Sequence, residues 1–233
     1  MKSCDDCHNP QEYAGFIPHL DAIPTSWYLC VMTPGQHESR TRLLDAALDV
    51  FRAKGYTATR VEDICAAASL TKGSFFHHFK TKDELAIAAA DRWSVVTGEL
   101  FRNADYHKPD DPVDRVLGYV EFRKQLLHGS LAEYTCLLGT LIQEVYDTNP
   151  PIRMACERSL SSHVATLVED IEAAKAVHAP GATWSAESLA LHMQAVIQGS
   201  FIIAKARYGA DPAAESIQHL KRYVASLFGR SIQ

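Results

Sequence analysis

The chain reads as an all-α protein, on three observations. Leu44, Ala47, Leu48 and Phe51 follow the i, i+3, i+4, i+7 spacing of a helix that buries one face. Residues 59–82 read as two short helices joined by a tight turn, a helix-turn-helix. From Pro112 the pattern stays helical to the end. The predicted order is an N-terminal three-helix unit, residues 37–82, then a C-terminal helical domain, residues 83–233.

Composition bounds what this can be. A chain of 233 residues, 47% of them hydrophobic, can bury one large core or two modest ones. No run of about 18 apolar residues predicts a membrane span, and no basic-led apolar segment with a small-residue cleavage site predicts secretion. The six cysteines are irregularly spaced, which favours reduced thiols in a cytoplasm over a disulfide framework.

Residues 1–36 mix Pro, Gly and isolated aromatics without period and read as a disordered or loosely docked extension. Within them, Cys4-x-x-Cys7-His8 matches a c-type haem attachment motif. Haem attached that way requires export, and no signal sequence precedes the motif. Zinc would need His19 or Cys30 added, because Cys-x-x-Cys supplies only two ligands. A metal- or haem-binding protein is therefore the alternative from another class, and no cofactor is expected. From Met32, MTPGQHESRTRLL also reads as an ordinary translation start leading into the first helix.

The first helix is predicted over Glu38–Lys54, with Gly55 as its stop. Arg40 and Arg42 crowd its start, where cations oppose the macrodipole unless a phosphate compensates. Thr59 and Glu62 form a T-x-x-E capping box for a bracing helix, Arg60–Ala67, with Val61, Ile64 and Cys65 inward. Ala68-Ser69-Leu70 makes the turn. Thr71 caps a second helix, running through His77, that is odd for a core element. Its first residues, Thr71, Lys72, Gly73 and Ser74, are small or basic. Small residues permit close approach, Lys and Ser supply donors, and such a helix can insert its start into a major groove. A surface helical hairpin is the plainer alternative. Charge favours the groove: residues 39–82 carry eight Lys/Arg against four acids, on a chain of net charge −5.

The pattern is specific. Phe51, Gly55 and Tyr56, then Thr59, Ile64 and Ala68, then Leu70, Lys72, Gly73 and Phe75, then His77-His78-Phe79-Lys80, Lys82 and Leu85 closely resemble the DNA-binding domain of the tetracycline-repressor (TetR) family, without a gap over residues 38–90. The resemblance implies groove contacts from Thr71, Lys72, Ser74 and His77, with Gly73 allowing close approach. It implies phosphate positioning by Arg40, Thr59, His78, Lys80 and Lys82. At Phe76 the family usually carries a tyrosine whose hydroxyl touches a phosphate, a bond phenylalanine lacks. A homodimer, a palindromic double-stranded operator and release by a small-molecule effector are further implications.

Thr81 is expected to cap a fourth helix, Lys82–Arg102, which in the family links the two domains. Asn103–Asp111 is a turn-rich break. Helices follow over Val113–His128, over Leu131–Tyr146 (apolar enough to be buried all round), from Pro150 to Val177 after an Asn149 cap, over Ala186–Tyr208 after Ser185, and over Ala213–Phe228 after Asp211-Pro212. Leu189, Met193, Val196, Ile197, Ser200 and Phe201 form one wide stripe. Ile217, Leu220, Val224 and Leu227 form another. Intrachain packing and a four-helix dimer interface both fit, and the resemblance favours the dimer.

Trp93, Phe101, Phe122, Cys136, Met154, His163 and Met193 are the expected lining of an effector cavity, suited to an apolar or aromatic molecule. A thiol that senses electrophiles is an alternative, at Cys136 or at Cys156, which shares a helix face with Arg153. No nucleophile elbow, Walker loop, H-E-x-x-H or G-x-G-x-x-G is present, so no enzyme is predicted.

Overall fold

The computed structural model describes residues 38–232; Cys4, Cys7, His8, His19, Cys30 and Met32 lie outside them. The described residues form helices α1 (Glu38–Lys54), α2 (Val61–Ala67), α3 (Lys72–His78), α4 (Lys82–Arg102), α5 (Pro112–Gln125), α6 (Leu131–Tyr134), α7 (Leu137–Val145), α8 (Pro150–His178), α9 (Ala186–Arg207) and α10 (Asp211–Leu227), with a 3₁₀ turn at Asp105–His107. No strand occurs among them.

Local chemistry accounts for most boundaries. Gly55 ends α1 at φ +81°, a conformation that favours glycine. The side chains of Thr71, Thr81, Asn149 and Ser185 each accept the amide three residues on and so start α3, α4, α8 and α9. Thr59 does not cap α2. Its hydroxyl turns inward to Gly55 O, and the cap position falls to Arg60, whose amide donates to the Asp63 carboxylate at 2.9 Å.

The expected single helix over Leu131–Tyr146 is broken. Thr135 and Cys136 are extended, and the Thr135 hydroxyl donates to Leu131 O at 2.6 Å, which closes α6 after one turn. Nor is α7 buried all round, since Gln143 and Glu144 are exposed.

Two hydrophobic clusters fill the interior. The first joins α1–α4 to α7 and the start of α8, around Phe51, Ile64, Phe75, Phe79, Leu85, Leu141 and Ile152. The second joins Phe101 of α4 to α5, the rest of α8, α9 and α10, around Tyr119, Ile171, Met193, Ile197, Ile217 and Val224. Helices α4 and α8 contribute to both. At about 1.5 Å per residue, the 29 residues of α8 are long enough to span them. Ion pairs tie neighbouring helices: Arg92 with Asp45, Arg115 with Asp170 and Lys221 with Glu121.

The second cluster corrects the expected dimer face. Leu189, Met193, Ile197, Ser200, Phe201, Ile217, Leu220 and Val224 are buried within one chain, while Val196 and Leu227 are half-buried against the same cluster. They are core because α5, α8 and α10 already cover them. The face of α9 left outward carries Leu191, Ala195, Gly199, Ile202 and Ile203. Helix α9 is also long and apolar enough to cross a membrane by length and composition, but its inward face is packed on α8 and α10.

Candidate functional site

Two regions carry the chemistry. The first is the outward face of α3. Phe75 and Phe79 are buried with ring centroids 5.9 Å apart, and they fix α3 on the first cluster. Lys72, Gly73, Phe76 and His77 then face outward, and Phe76 is 57% exposed. Ser74 is half-buried. A Cβ at Gly73 would meet nothing nearer than Thr71 Oγ1 at 3.6 Å, so packing inside the chain does not demand glycine there. The Lys72 ammonium pairs with Glu62, and both side chains are more than half exposed, so this weak link competes poorly with a phosphate. Lys80 is exposed and forms no ion pair among the described residues. The Arg40 guanidinium sits 5.2 Å over the Phe79 ring. His78 Nε2 lies 2.7 Å from Ser39 Oγ, which joins α3 to the start of α1.

Two expected phosphate contacts are engaged internally. Thr59 is only 1% exposed, with its hydroxyl on Gly55 O. The Lys82 ammonium donates to Tyr56 O at 2.8 Å and Thr59 O at 2.9 Å and lies 4.2 Å over the Tyr56 ring. Its burial holds the Lys82 pKa below the ordinary lysine value. Neither side chain is free as the resemblance implied. Arg42, at the start of α1, holds the turn instead by donating to Ala68 O and Ser69 O. Ser69 takes φ +52°, which closes the bend between α2 and α3.

The segment after α1 is also held by the later helices. The Glu144 carboxylate accepts the amides of Tyr56 at 3.0 Å and Thr57 at 2.8 Å. The Tyr56 hydroxyl donates to Asp83, which also accepts Asn149 Nδ2 at 2.7 Å. Burial, with the Asp83 bond and charge, raises the Tyr56 pKa. Buried Arg52 donates to Glu133 O at 3.0 Å, pairs with Asp49, and lies 5.0 Å over the Trp93 ring.

The second region is an aromatic core in the second cluster. Phe101, Tyr106, Tyr119, Phe122 and His163 lie ring to ring, with centroids 4.6 to 5.8 Å apart where they touch. The buried Tyr119 hydroxyl lies 2.9 Å from His163 Nε2 and accepts Gln194 Nε2 at 2.6 Å. Burial lowers the His163 pKa to about 3, helped by the Arg123 charge, so the ring is neutral. Burial pushes the Tyr119 phenol up. Beside Tyr119 a cleft of about 10 Å³, also bounded by Tyr106, Thr166, Asp170 and Met193, has room for roughly one water.

Of the expected cavity residues, Phe101, Phe122, His163 and Met193 belong to this region, and Cys136 packs against both clusters. Met154 is 51% exposed and belongs to neither cluster. Trp93 packs in the first cluster under Arg52. Tyr119, Arg123 and Gln194 went unpredicted, although two polar residues and a tyrosine amid apolar helix faces are a readable signal. Of the cysteines, Cys65 and Cys156 are buried, and burial raises Cys156 to about 12. Arg153, the reason to weigh Cys156, is exposed.

Comparison with known proteins fits both regions. Residues 43–89 match the family described as bacterial regulatory proteins, tetR family. Residues 112–216 match the C-terminal domain described as transcriptional regulator LmrA/YxaF-like. The transcriptional repressor NemR of Escherichia coli is 24% identical over 195 residues, 82% of this chain and 96% of the relative. The transcriptional repressor KstR2 of Rhodococcus jostii is 43% identical over 131 residues, 49% of this chain and 64% of the relative. In fold, the regulatory protein TetR from Rhodobacter sphaeroides superposes with a TM-score of 0.72 at 22% identity, covering 80% of this chain and 99% of that one. The reduced form of E. coli NemR superposes at 0.69 and 22% identity, covering 79% and 96%. With a helix-turn-helix whose second helix presents a small, basic and aromatic outer face, and with residues 43–89 and 112–216 both matched, this chain belongs to the TetR family of DNA-binding transcriptional regulators.

Proposed function

We propose a cytoplasmic, non-enzymatic homodimeric repressor that leaves a palindromic operator when a small aromatic effector enters its C-terminal core. In this reading residues 37–82 bind DNA and residues 83–233 bind effector and partner. The observation that carries it is the outward face of α3, where Lys72, Gly73, Phe76 and His77 are all exposed. Lys72, His77, Thr71 and Ser74 supply base-edge contacts. Arg40, Lys80 and the α3 start position the phosphates. The partner chain packs on the α9 face of Leu191, Ala195, Ile202 and Ile203, beside Tyr223 of α10. The effector can release DNA only by binding the non-DNA conformation more tightly.

A mobility shift with the DNA flanking the gene, repeated at rising salt, tests this. A discrete complex should resist competitor DNA and weaken with a log–log slope of about −0.9 per phosphate neutralised. A complex that competitor DNA removes at once would reject a specific operator.

A second reading, thiol sensing, narrows to Cys136. It is half-buried, stands at the start of α7, and lies within electrostatic reach of Lys205. N-ethylmaleimide with peptide mapping should label Cys136 before Cys65 and Cys156 and release DNA. Release that persists in Cys136→Ser would reject it.

A further inference from the structure

Arg123 of α5 is a half-buried cation at the aromatic core. Its guanidinium stands 5.2 Å over the Phe101 ring and 5.6 Å over the Phe201 ring, against Tyr119. Two arginines of α5–α10 are half-buried, Arg115 and Arg123. Arg115 has Asp170 at 2.7 Å, whereas Arg123 has no carboxylate within ion-pair distance among the described residues. Nearby acids are committed elsewhere: Glu121 to Lys221, Asp170 to Arg115, and Glu133 to the Ser130 amide. Lys205, one turn beyond Phe201, is also half-buried and donates to the Thr140 hydroxyl at 2.8 Å.

A cation drawn partly out of water wants a charge partner or a π face. Here the rings meet that need, and both ring and guanidinium suit one class of molecule. The geometry points to Arg123 as the anchor for a planar aromatic carboxylate: the carboxylate takes the guanidinium fork and the ligand ring takes the faces that the guanidinium now covers. Guanidinium–carboxylate pairing is bidentate and directional. His163 and Gln194 add no charge that would compete. The guanidinium covers the Phe101 and Phe201 faces, so a ligand ring takes those faces only by displacing it. This deepens the proposed function, since the anion is the effector of that same core.

The test is direct binding by calorimetry and thermal shift, without DNA, on the full chain. The probes are benzoate, cinnamate and 2-naphthoate, each beside its neutral amide. At least one acid should bind and raise the melting temperature, with its amide roughly ten- to hundredfold weaker. Arg123→Met should lose the preference for acid over amide, and Arg123→Lys should keep part of it. Amides that bind as well as acids, acids that bind Arg123→Met unchanged, or no binding of any acid would overturn the inference. The acid–amide comparison in the wild-type chain holds even if Arg123→Met does not fold. Operator release is read separately by mobility shift. An acid that binds here but never affects DNA leaves the anion site standing and rejects the effector role.

Discussion

The Glu144 carboxylate on α7 accepts the Tyr56 amide at 3.0 Å, a link across 88 residues of sequence. With Thr57 on the same carboxylate, α7 thereby holds the segment that leads into α2. Amide bonds to a charged acceptor contribute about 1.5–3 kcal/mol. Glu144→Ala should therefore lower the melting temperature by several degrees at about 2–4 °C per kcal/mol. It should also blunt effector-driven release of DNA more than it weakens DNA binding, as read by mobility shift with and without effector.

Lys80 and Lys82 should separate. Lys82 donates to Tyr56 O and Thr59 O, whereas Lys80 is exposed. Lys82→Ala should lower both thermal stability and DNA affinity. Lys80→Ala should leave the melting temperature unchanged and reduce the salt slope of DNA binding by about one phosphate. Equal melting temperatures for the two variants would count against the internal role of Lys82.

Phe76 is exposed where the resemblance expects a tyrosine. Phe76→Tyr should restore a hydroxyl to the DNA face and tighten binding by about 0.5–1.5 kcal/mol. The gain should be alike on all operator variants, because phosphates carry no sequence information.

His163 gives the chain a pH dependence of definite sign. Its folded pKa is about 3, against 6.5 for the free side chain. The unfolded chain thus binds a proton that the folded chain refuses. Stability from this group is full above about pH 6.5 and falls as pH drops toward 3, by up to about 1.4 kcal/mol per unit. Urea unfolding at pH 7.5, 6 and 5 should show His163→Phe losing less stability on acidification than wild type.

The outward α9 face predicts the oligomer. Ile202→Asp should halve the mass seen by sedimentation while leaving the helical content intact. A variant that stays dimeric would move the interface elsewhere.

The helical class, the bounds of α1 and α4, the caps at Thr71, Thr81, Asn149 and Ser185, and the helix-turn-helix with its outward α3 face were all legible in the amino-acid sequence. Caps and periodicity act over a few residues, so they are legible locally. Which side of α9 and α10 is core emerged in the folded chain alone, because two wide apolar stripes look alike until α5 and α8 cover one of them. Only the fold engaged Thr59 and Lys82 in hydrogen bonds to backbone carbonyls inside the chain, packed Trp93 into the first cluster and left Met154 exposed, and set Arg123 among the aromatic rings. Those outcomes depend on partners tens of residues away, such as Glu133 for Arg52 and Phe201 for Arg123, and no local pattern records which distant group a side chain will meet.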